Sequence, residues 1–522
     1  MQQVEVFGMS SVQKALEVAL DFGYQIDPSA LKLLVKLGEK RREKIGESDP
    51  SLEAIIKGAI ALKAKYQTGL TIQTSDLKEV FPMIFDVLDV PVVPAEGSKR
   101  MEASSIKSDV EIVEDPSGEI QPTGIEGFPQ LFKSRYEKIL HILMERPEAR
   151  QITKISKVNM EKGNVKIAGL VYGKRPTKNG GIEVTLDDDS GRAIVLALSQ
   201  EAKKDVGEVT LDQCVMIEAE ATQGRLLIKN IMQPDIPSKV ASTSKKTVYA
   251  ILLSDLHVGS DKFLEGAFIR FLEWVGGRGG MSEEDEEIVR RLKYVVIGGD
   301  VVDGVGVFPN QEFELSEQNI FKQYEMVYEK LKLVPKHLQM FVIPGNHDAT
   351  RQALPQPMIP KKYAESLHKL ENLKMLGDPC VLKLHGVLIL SYHGRSLDDV
   401  LATTPGLSYE RPEEAMKVLL KARHLAPIFG HRTPIAPEIE DHLVIDEVPD
   451  IFHAGHVHTV GQDRYKSTVI INSGTWQAQT GYQANLGISP RPGLVPVVNL
   501  STLDVVWRDF LTSSSINSQQ AG

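Results

Sequence analysis

Four short apolar runs, 249–253, 294–297, 341–343 and 387–390, each break off into a polar turn carrying Asp, Asn or His. Runs of Val, Ile and Leu bounded by turn residues read as strands of an α/β sheet, and ligand-binding groups converge where such strands end. Nearer the N-terminus the period becomes helical. Val12, Leu16 and Leu20 recur at i, i+4, and Asp27 followed by Pro28 is an N-cap with Pro at N1, opening a helix that carries Leu31, Leu34 and Val35 on one face. A second helical stripe, Phe128, Phe132, Tyr136, Ile139, Leu140 and Leu143, ends at Pro147. Between these helical stretches, residues 92–125 mix Pro, Gly, Ser and charge with few large apolar groups, which predicts a flexible linker.

From 151 to 237 the period is two. Val165, Ile167, Gly169 and Val171 lead to a turn at 177–181, then come 182–186, a turn at 187–191, 193–198, 211–220 and 225–231. This predicts a five-stranded Greek-key barrel of the OB type. Such barrels commonly bind single strands through basic and aromatic side chains. Lys166, Tyr172, Lys174, Arg175 and Lys178 supply some of these, while Asp187, Asp188 and Asp189 oppose them, so nucleic-acid contact and a structural or docking role both stay open. The basic run Lys36, Lys40, Arg41, Arg42 and Lys44 reads either as a solvated helix face or as a contact to DNA or a partner.

The expected organisation is α/β multidomain: a helical N-terminal module over 1–91, the linker over 92–125, helix plus barrel over 126–237, an α/β domain over 246–510 and a disordered tail over 511–522. With 522 residues and 42% hydrophobic content, the chain supports several cores. Two cysteines, Cys214 and Cys380, exclude a disulfide framework and fit a reducing cytosol. The start has no basic segment followed by an apolar one, and no run reaches the ~18 apolar residues of a membrane span. A soluble, cytoplasmic protein without membrane contact is the expectation. A formal charge of −10 means that bound nucleic acid would be met by local basic patches, metals or a partner.

The turns hold the chemistry. They contain Asp255 and His257, then Asp300 and Asp303, then Asn346, His347 and Asp348, then His393, then His456 and His458. Carboxylate, imidazole and amide oxygen without cysteine suit Mn, Fe or Zn in a reactive site, and two such ions bridged by a shared Asp hydrolyse phosphoesters.

In order, D-x-H, G-D-x-x-D, G-N-H-D, H and G-H-x-H, these motifs resemble the calcineurin-like metallophosphoesterases from Asp255 to His458. The resemblance implies that Asp255, His257 and His458 hold one metal. It implies that Asn346, His393 and His456 hold the other, with Asp300 bridging. It further implies that His347 protonates the leaving oxygen, that Asp348 orients His347 through the ring's other nitrogen, and that Asp303 acts beside them. His141, His337, His368, His385, His424, His442 and His453 read as surface or packing residues. His431, after an apolar stretch, is a candidate neighbour of the site.

The order of helical module, linker, barrel and phosphoesterase domain resembles the small, B-type subunits of archaeal family D DNA polymerases and, through them, the B-subunits of eukaryotic replicative polymerases. In the eukaryotic group the metal ligands are typically lost; all are present here. The resemblance implies a proofreading 3′–5′ exonuclease using two divalent ions, Mn first and Fe or Zn as alternatives. Its expected partners are a large catalytic polymerase subunit and single-stranded 3′ ends of DNA, with contact to a sliding clamp left open. The competing readings are a non-catalytic scaffold and a phosphoesterase acting on another ester.

Overall fold

The computed structural model describes residues 102–118, 124–160, 163–222, 224–278, 281–485 and 487–511, and, nearer the N-terminus, 14–27, 30–31, 34–35, 52–66, 71–72 and 77. The chain divides into two compact units, Met1–Ser98 and Lys99–Gly522.

In the first unit residues 14–21 and Leu52–Tyr66 are helical, and Gln25–Ile26 pairs in parallel with Thr71–Ile72. Its core joins Ala15, Ala19, Leu34, Ile55, Ile56 and Ala59. The expected stripe is thereby corrected. Leu16, Leu31 and Leu34 do pack into this core, but Leu20 is 68% exposed, because the small Ala15 and Ala19 form the closely packed face of its helix, and Val35 is exposed as well. Val12, Pro28, the basic run at 36–44 and residues 512–522 lie outside the described residues.

The second unit opens with β1 (Val110–Glu114), inside the stretch expected to be a linker. It pairs antiparallel with β11 (Cys380–Leu384), Val110 facing Leu384 and Ile112 facing Leu382, while Ile106, Val110 and Ile112 pack into a core. The segment 102–118 is therefore part of the fold. Alternate apolar residues suffice to bury one face of a five-residue strand on a sheet edge, even where composition averaged over 34 positions looks linker-like.

Helix α1 (Phe128–Met144) follows, with Leu131, Arg135, Tyr136, Ile139 and Leu143 buried. Five strands then close a barrel: β2 (Gly163–Pro176), β3 (Ile182–Asp188), β4 (Gly191–Ala197), β5 (Cys214–Thr222) and β6 (Arg225–Met232), in the order β2-β3-β4-β6-β5. The helix Gln200–Glu208 connects β4 to β5, and β4 and β6 run parallel. Helix α1 ties the barrel to the rest of the unit. Its Tyr136, Ile139 and Leu143 meet Ala168, Cys214 and Met216 of the barrel, while Phe128 and Phe132 pack edge-on against Phe429, 5.1 and 5.0 Å away.

The remaining residues build two facing six-stranded sheets. One has the order β10-β9-β8-β7-β16-β17, from β7 (Tyr249–Leu253), β8 (Leu292–Gly298), β9 (Gln339–Ile343), β10 (Leu373–Met375), β16 (Leu494–Asn499) and β17 (Asp504–Asp509). The other, β14-β15-β13-β12-β11-β1, adds β12 (Val387–Ser391), β13 (Ile451–Ala454), β14 (Gly461–Tyr465) and β15 (Thr468–Asn472). Alternation along the strands fixes the layers. Ala250, Leu252, Tyr294 and Val296 meet Leu382, Ile389, Ile451 and Ile471 between the sheets. Ile251, Leu253, Val295 and Ile297 face outward to Phe268, Phe271, Ile288 and Tyr324 of flanking helices. Strands buried on both faces read as continuous apolar runs, which is why their ends were legible. No described helix is long and apolar enough to cross a membrane.

Candidate metal centre

The turns after β7, β8, β9, β12 and β13 meet at one edge of the two sheets. Asp255, His257, Asp300, His456 and His458 all have positive φ, between 50° and 70°. An L-residue in the left-handed region costs about 1–2 kcal/mol, so such clustering marks backbone held in place by its surroundings. Those surroundings are visible: Asp255 N–H donates to the Gly299 carbonyl at 2.9 Å and His257 N–H to the Asp300 carbonyl at 3.0 Å. Two motif glycines answer to close approach. A Cβ on Gly345 would lie 2.2 Å from Asp300 Oδ1, and one on Gly455 would lie 2.4 Å from Asp255 Oδ2.

Asp300 sits between two imidazoles, its Oδ2 3.3 Å from His393 Nε2 and 3.8 Å from His257 Nε2. Its Oδ1 accepts the His347 N–H at 2.7 Å. The far nitrogens of the rings are committed. His393 Nδ1–H donates to the Gly298 carbonyl at 2.8 Å, His257 Nδ1 is 2.9 Å from Asp303 Oδ1, and His456 Nε2–H donates to Asp398 Oδ2 at 3.1 Å. Such outer contacts set the tautomer and aim the remaining nitrogen.

What the aimed atoms face indicates what fits. His257 Nε2 lies 3.0 Å from His458 Nε2, and His393 Nε2 lies 3.0 Å from Asn346 Oδ1. These are lone-pair atoms confronting one another, which requires a proton or a cation between them. Asp255 Oδ1, wholly buried, makes no hydrogen bond, while its Oδ2 accepts the His456 N–H at 2.9 Å. The groups that could hold ions are Asp255, His257 and His458 on one side and Asp300, His393 and His456 on the other, with Asn346 beside the second. A further grouping sets His347 with His257 and Asp300. The donor set of carboxylate, imidazole and amide oxygen fits borderline divalent cations.

Electrostatics agree. Burial alone would lower His257 and His393, but carboxylates overcome it: Asp255 and Asp303 beside His257, and Asp300 beside His393, raise each ring to about 10. Burial would raise Asp255 and Asp300, yet neighbouring imidazoles hold both carboxyls below the usual range. The site demands positive charge, and a cation satisfies that demand by displacing protons.

Two expected roles change. Asp348 does not reach the His347 ring: its Oδ2 accepts Gly345 N–H at 2.9 Å and Val301 N–H at 3.3 Å, and its Oδ1 accepts the Tyr324 hydroxyl at 3.1 Å. Burial, reinforced by Asp300, pushes its carboxyl up to about 7. The turn directs Asp348 into the fold, where it ties the loops after β8 and β9. The His347 ring is instead oriented from Asp303, whose carbonyl accepts Nδ1–H at 2.7 Å, leaving Nε2 as the free nitrogen. Asp303 thus positions His257 through its carboxylate and His347 through its carbonyl.

A cleft of about 360 Å³ opens over these groups, lined also by Phe308, Arg395, Asp398, Tyr409, Arg432 and Tyr482. None of these stands in a recognised motif. Asp398 follows His393 by five residues in the first turn of a helix, a faint signal; burial opposes its charge, but His456 draws its carboxyl down to about 2. Gln483, whose Nε2 lies 2.7 Å from His458 Nδ1, had no sequence signal at all. His431 is exposed and does not line the cleft, although Arg432 does. His453 and His424 are buried packing residues, held by burial at about 3 and about 4.

Comparison with known proteins places this geometry. Residues 251–460 match the family of DNA polymerase alpha/epsilon B-subunits. The chain is 41% identical over 437 residues to the DNA polymerase II small subunit of Pyrococcus furiosus, covering 83% of this chain and 68% of that one. It is 37% identical over 459 residues to that of Methanothermobacter thermautotrophicus, covering 87% and 93%. Among solved structures it is similar to an archaeal phosphodiesterase at 12% identity and TM-score 0.26, over 50% of this chain and 99% of the other. On the extent of identity with these archaeal relatives, the chain belongs to the family of DNA polymerase II small subunits.

Proposed function

We propose that this chain is the proofreading 3′–5′ exonuclease subunit of a heteromeric replicative polymerase, hydrolysing the terminal phosphodiester of an unpaired DNA strand. Its partner would be a large catalytic polymerase subunit, as the relatives' designation as small subunits suggests. The observation that carries the reading is the complete set of aimed, buried or half-buried atoms able to hold ions, above all Asp255 Oδ1 without a hydrogen bond and the facing pairs at 3.0 Å. A scaffold has no use for such an arrangement, which lowers stability unless something is bound.

Asp255, His257 and His458 would hold one divalent ion and Asn346, His393 and His456 another, with Asp300 shared. Bound there, two such ions, Mn foremost, activate water and neutralise the phosphodiester's charge. His347 is the group placed to deliver a proton from Nε2 to the departing 3′-oxygen, because its Nδ1–H is already given to Asp303. Burial lowers its basicity. A phosphodiester alongside brings negative charge and favours the imidazolium. The products are a 5′-mononucleotide and a strand shortened by one. An unpaired end enters without breaking base pairs, so mismatched ends react faster. We further infer that the barrel, with its order β2-β3-β4-β6-β5, is of the OB type.

The test is nuclease activity of the full chain with and without added Mn on single-stranded, mismatched and paired 3′ ends, with bound metal measured in parallel. Mn-dependent release of 5′-mononucleotides, fastest from unpaired ends, is expected. Two equivalents of metal with no hydrolysis would favour a scaffold. Cleavage of phosphoserine peptides but not DNA would favour another ester.

A further inference from the structure

Two aromatic side chains, Phe308 and Tyr482, line the cleft that holds a row of imidazoles. The His257 ring centroid lies 4.7 Å from that of His347 and 4.8 Å from that of His458. Beyond His347 comes Phe308, at 6.3 Å and 62°. Tyr482 lines the same cleft and directly precedes Gln483, whose side chain contacts the His458 ring. Both aromatics line the cleft, Tyr482 is 66% exposed, and neither belongs to a hydrophobic core among the described residues.

Their placement is firm. The buried Gln311 side chain donates to the Asp303 carbonyl at 2.8 Å and to Asp303 Oδ2 at 3.0 Å, and accepts Val307 N–H at 2.8 Å, so the loop carrying Phe308 is fastened to a residue that positions two site histidines. The short helix Gly481–Asn485 is fastened through Gln483, whose Nε2 lies 2.7 Å from His458 Nδ1. Apolar surface turned toward water in a polar cleft gains nothing in the free protein. Two cations share the cleft. Arg395 Nη1 is anchored by Gln352 at 2.8 and 3.0 Å, whereas the Arg432 guanidinium makes no hydrogen bond among the described residues.

We infer that Phe308 and Tyr482 are base-stacking residues that grip the end of an unpaired strand, with Arg395 and Arg432 receiving the backbone phosphate next to the one being cleaved. The inference rests on the nuclease reading and names the features that select its substrate. Every base offers a π-face, so stacking accepts any sequence. A paired end offers no free face until its pair opens, and a phosphorylated side chain offers neither base nor second phosphate.

The experiment uses the full chain with Mn and a short single-stranded oligonucleotide bearing 3′-terminal 2-aminopurine and a hydrolysis-resistant terminal phosphorothioate. Wild type should quench the fluorescence. The double variant Phe308→Ala, Tyr482→Ala should lose most of the quenching and raise KM for cleavable single-stranded ends about tenfold or more, while Phe308→Trp, Tyr482→Trp retains both, which separates stacking from misfolding. Undiminished quenching and unchanged KM in the alanine variant would overturn the inference, as would wild-type cleavage without quenching. Wild-type quenching with the resistant strand but no nucleotide release from the cleavable one would uphold stacking and refute the nuclease reading instead.

Discussion

Asp300 carries the site at the scale of single residues, since one carboxylate faces imidazoles of both ligand groups, at 3.3 and 3.8 Å. Asp300→Ala should abolish hydrolysis and lower bound metal toward one equivalent, because two cations without a shared anion repel each other. Metal analysis beside a turnover assay checks this, and two retained equivalents with normal rates would contradict it. His347→Ala is expected to behave differently. Its ring nitrogen toward the protein is bound to a backbone carbonyl and its other nitrogen is free, so both metals should remain while kcat falls roughly 10²–10⁴-fold. Loss of metal in that variant would make His347 a ligand, as its proximity to His257 and Asp300 allows. The gathering of these carboxylates and imidazoles at one place was legible in the sequence because each member lies within a few residues of a strand end. The contacts of Asp348 were not, since which way a turn residue points depends on the loops packed around it.

Helix α1 is the element on which the arrangement of barrel and sheets depends. Buried Arg135 on its inner face donates to Asp441 Oδ2 at 2.8 Å and to the Pro427 carbonyl, and His424 Nε2 lies 3.0 Å from the same carboxylate oxygen. Burial, with Arg135 adding to it against the pull of Asp441, lowers His424 from 6.5 to about 4. The folded form therefore keeps His424 neutral over a range in which the unfolded chain takes up a proton. Stability from this group is complete above pH 6.5 and is lost as pH falls through 6.5 toward 4, by about 3 kcal/mol at most. Asp441, held below the usual carboxylate range, loses its contribution at lower pH still. The difference in unfolding midpoint between wild type and His424→Gln should change over pH 6.5 to 4 and be flat above. A pH-independent difference would mean that His424 does not titrate there. The apolar stripe announced α1, but the salt bridge joins positions 306 apart and had no local signature.

For the whole molecule, the chain divides after Ser98, inside the stretch 92–125 expected as a linker. A chain beginning at Lys99 should fold and keep the proposed nuclease activity. One beginning at residue 126 lacks β1, which opens the backbone edge of β11 and uncovers the packing of Val110 and Ile112, so it should unfold at lower denaturant and aggregate. Urea midpoints and light scattering of the two truncations check the ordering, and equal stability would show that β1 contributes nothing to the sheet.

The sequence by itself determined the strand ends, the chemistry placed on them and the five barrel strands, because burial on both faces, two-residue alternation and turn chemistry are local patterns. It also determined the family resemblance, because ligand types at short spacings travel with those turns. Tertiary structure alone decided that 110–114 closes a sheet edge by pairing with 380–384, that Asp398 and Gln483 hold His456 and His458, and that Phe308, Tyr482, Arg395 and Arg432 share one cleft. Each of these joins loops from separate elements, and such contacts are fixed by how strands are ordered across two sheets rather than by any window of the chain.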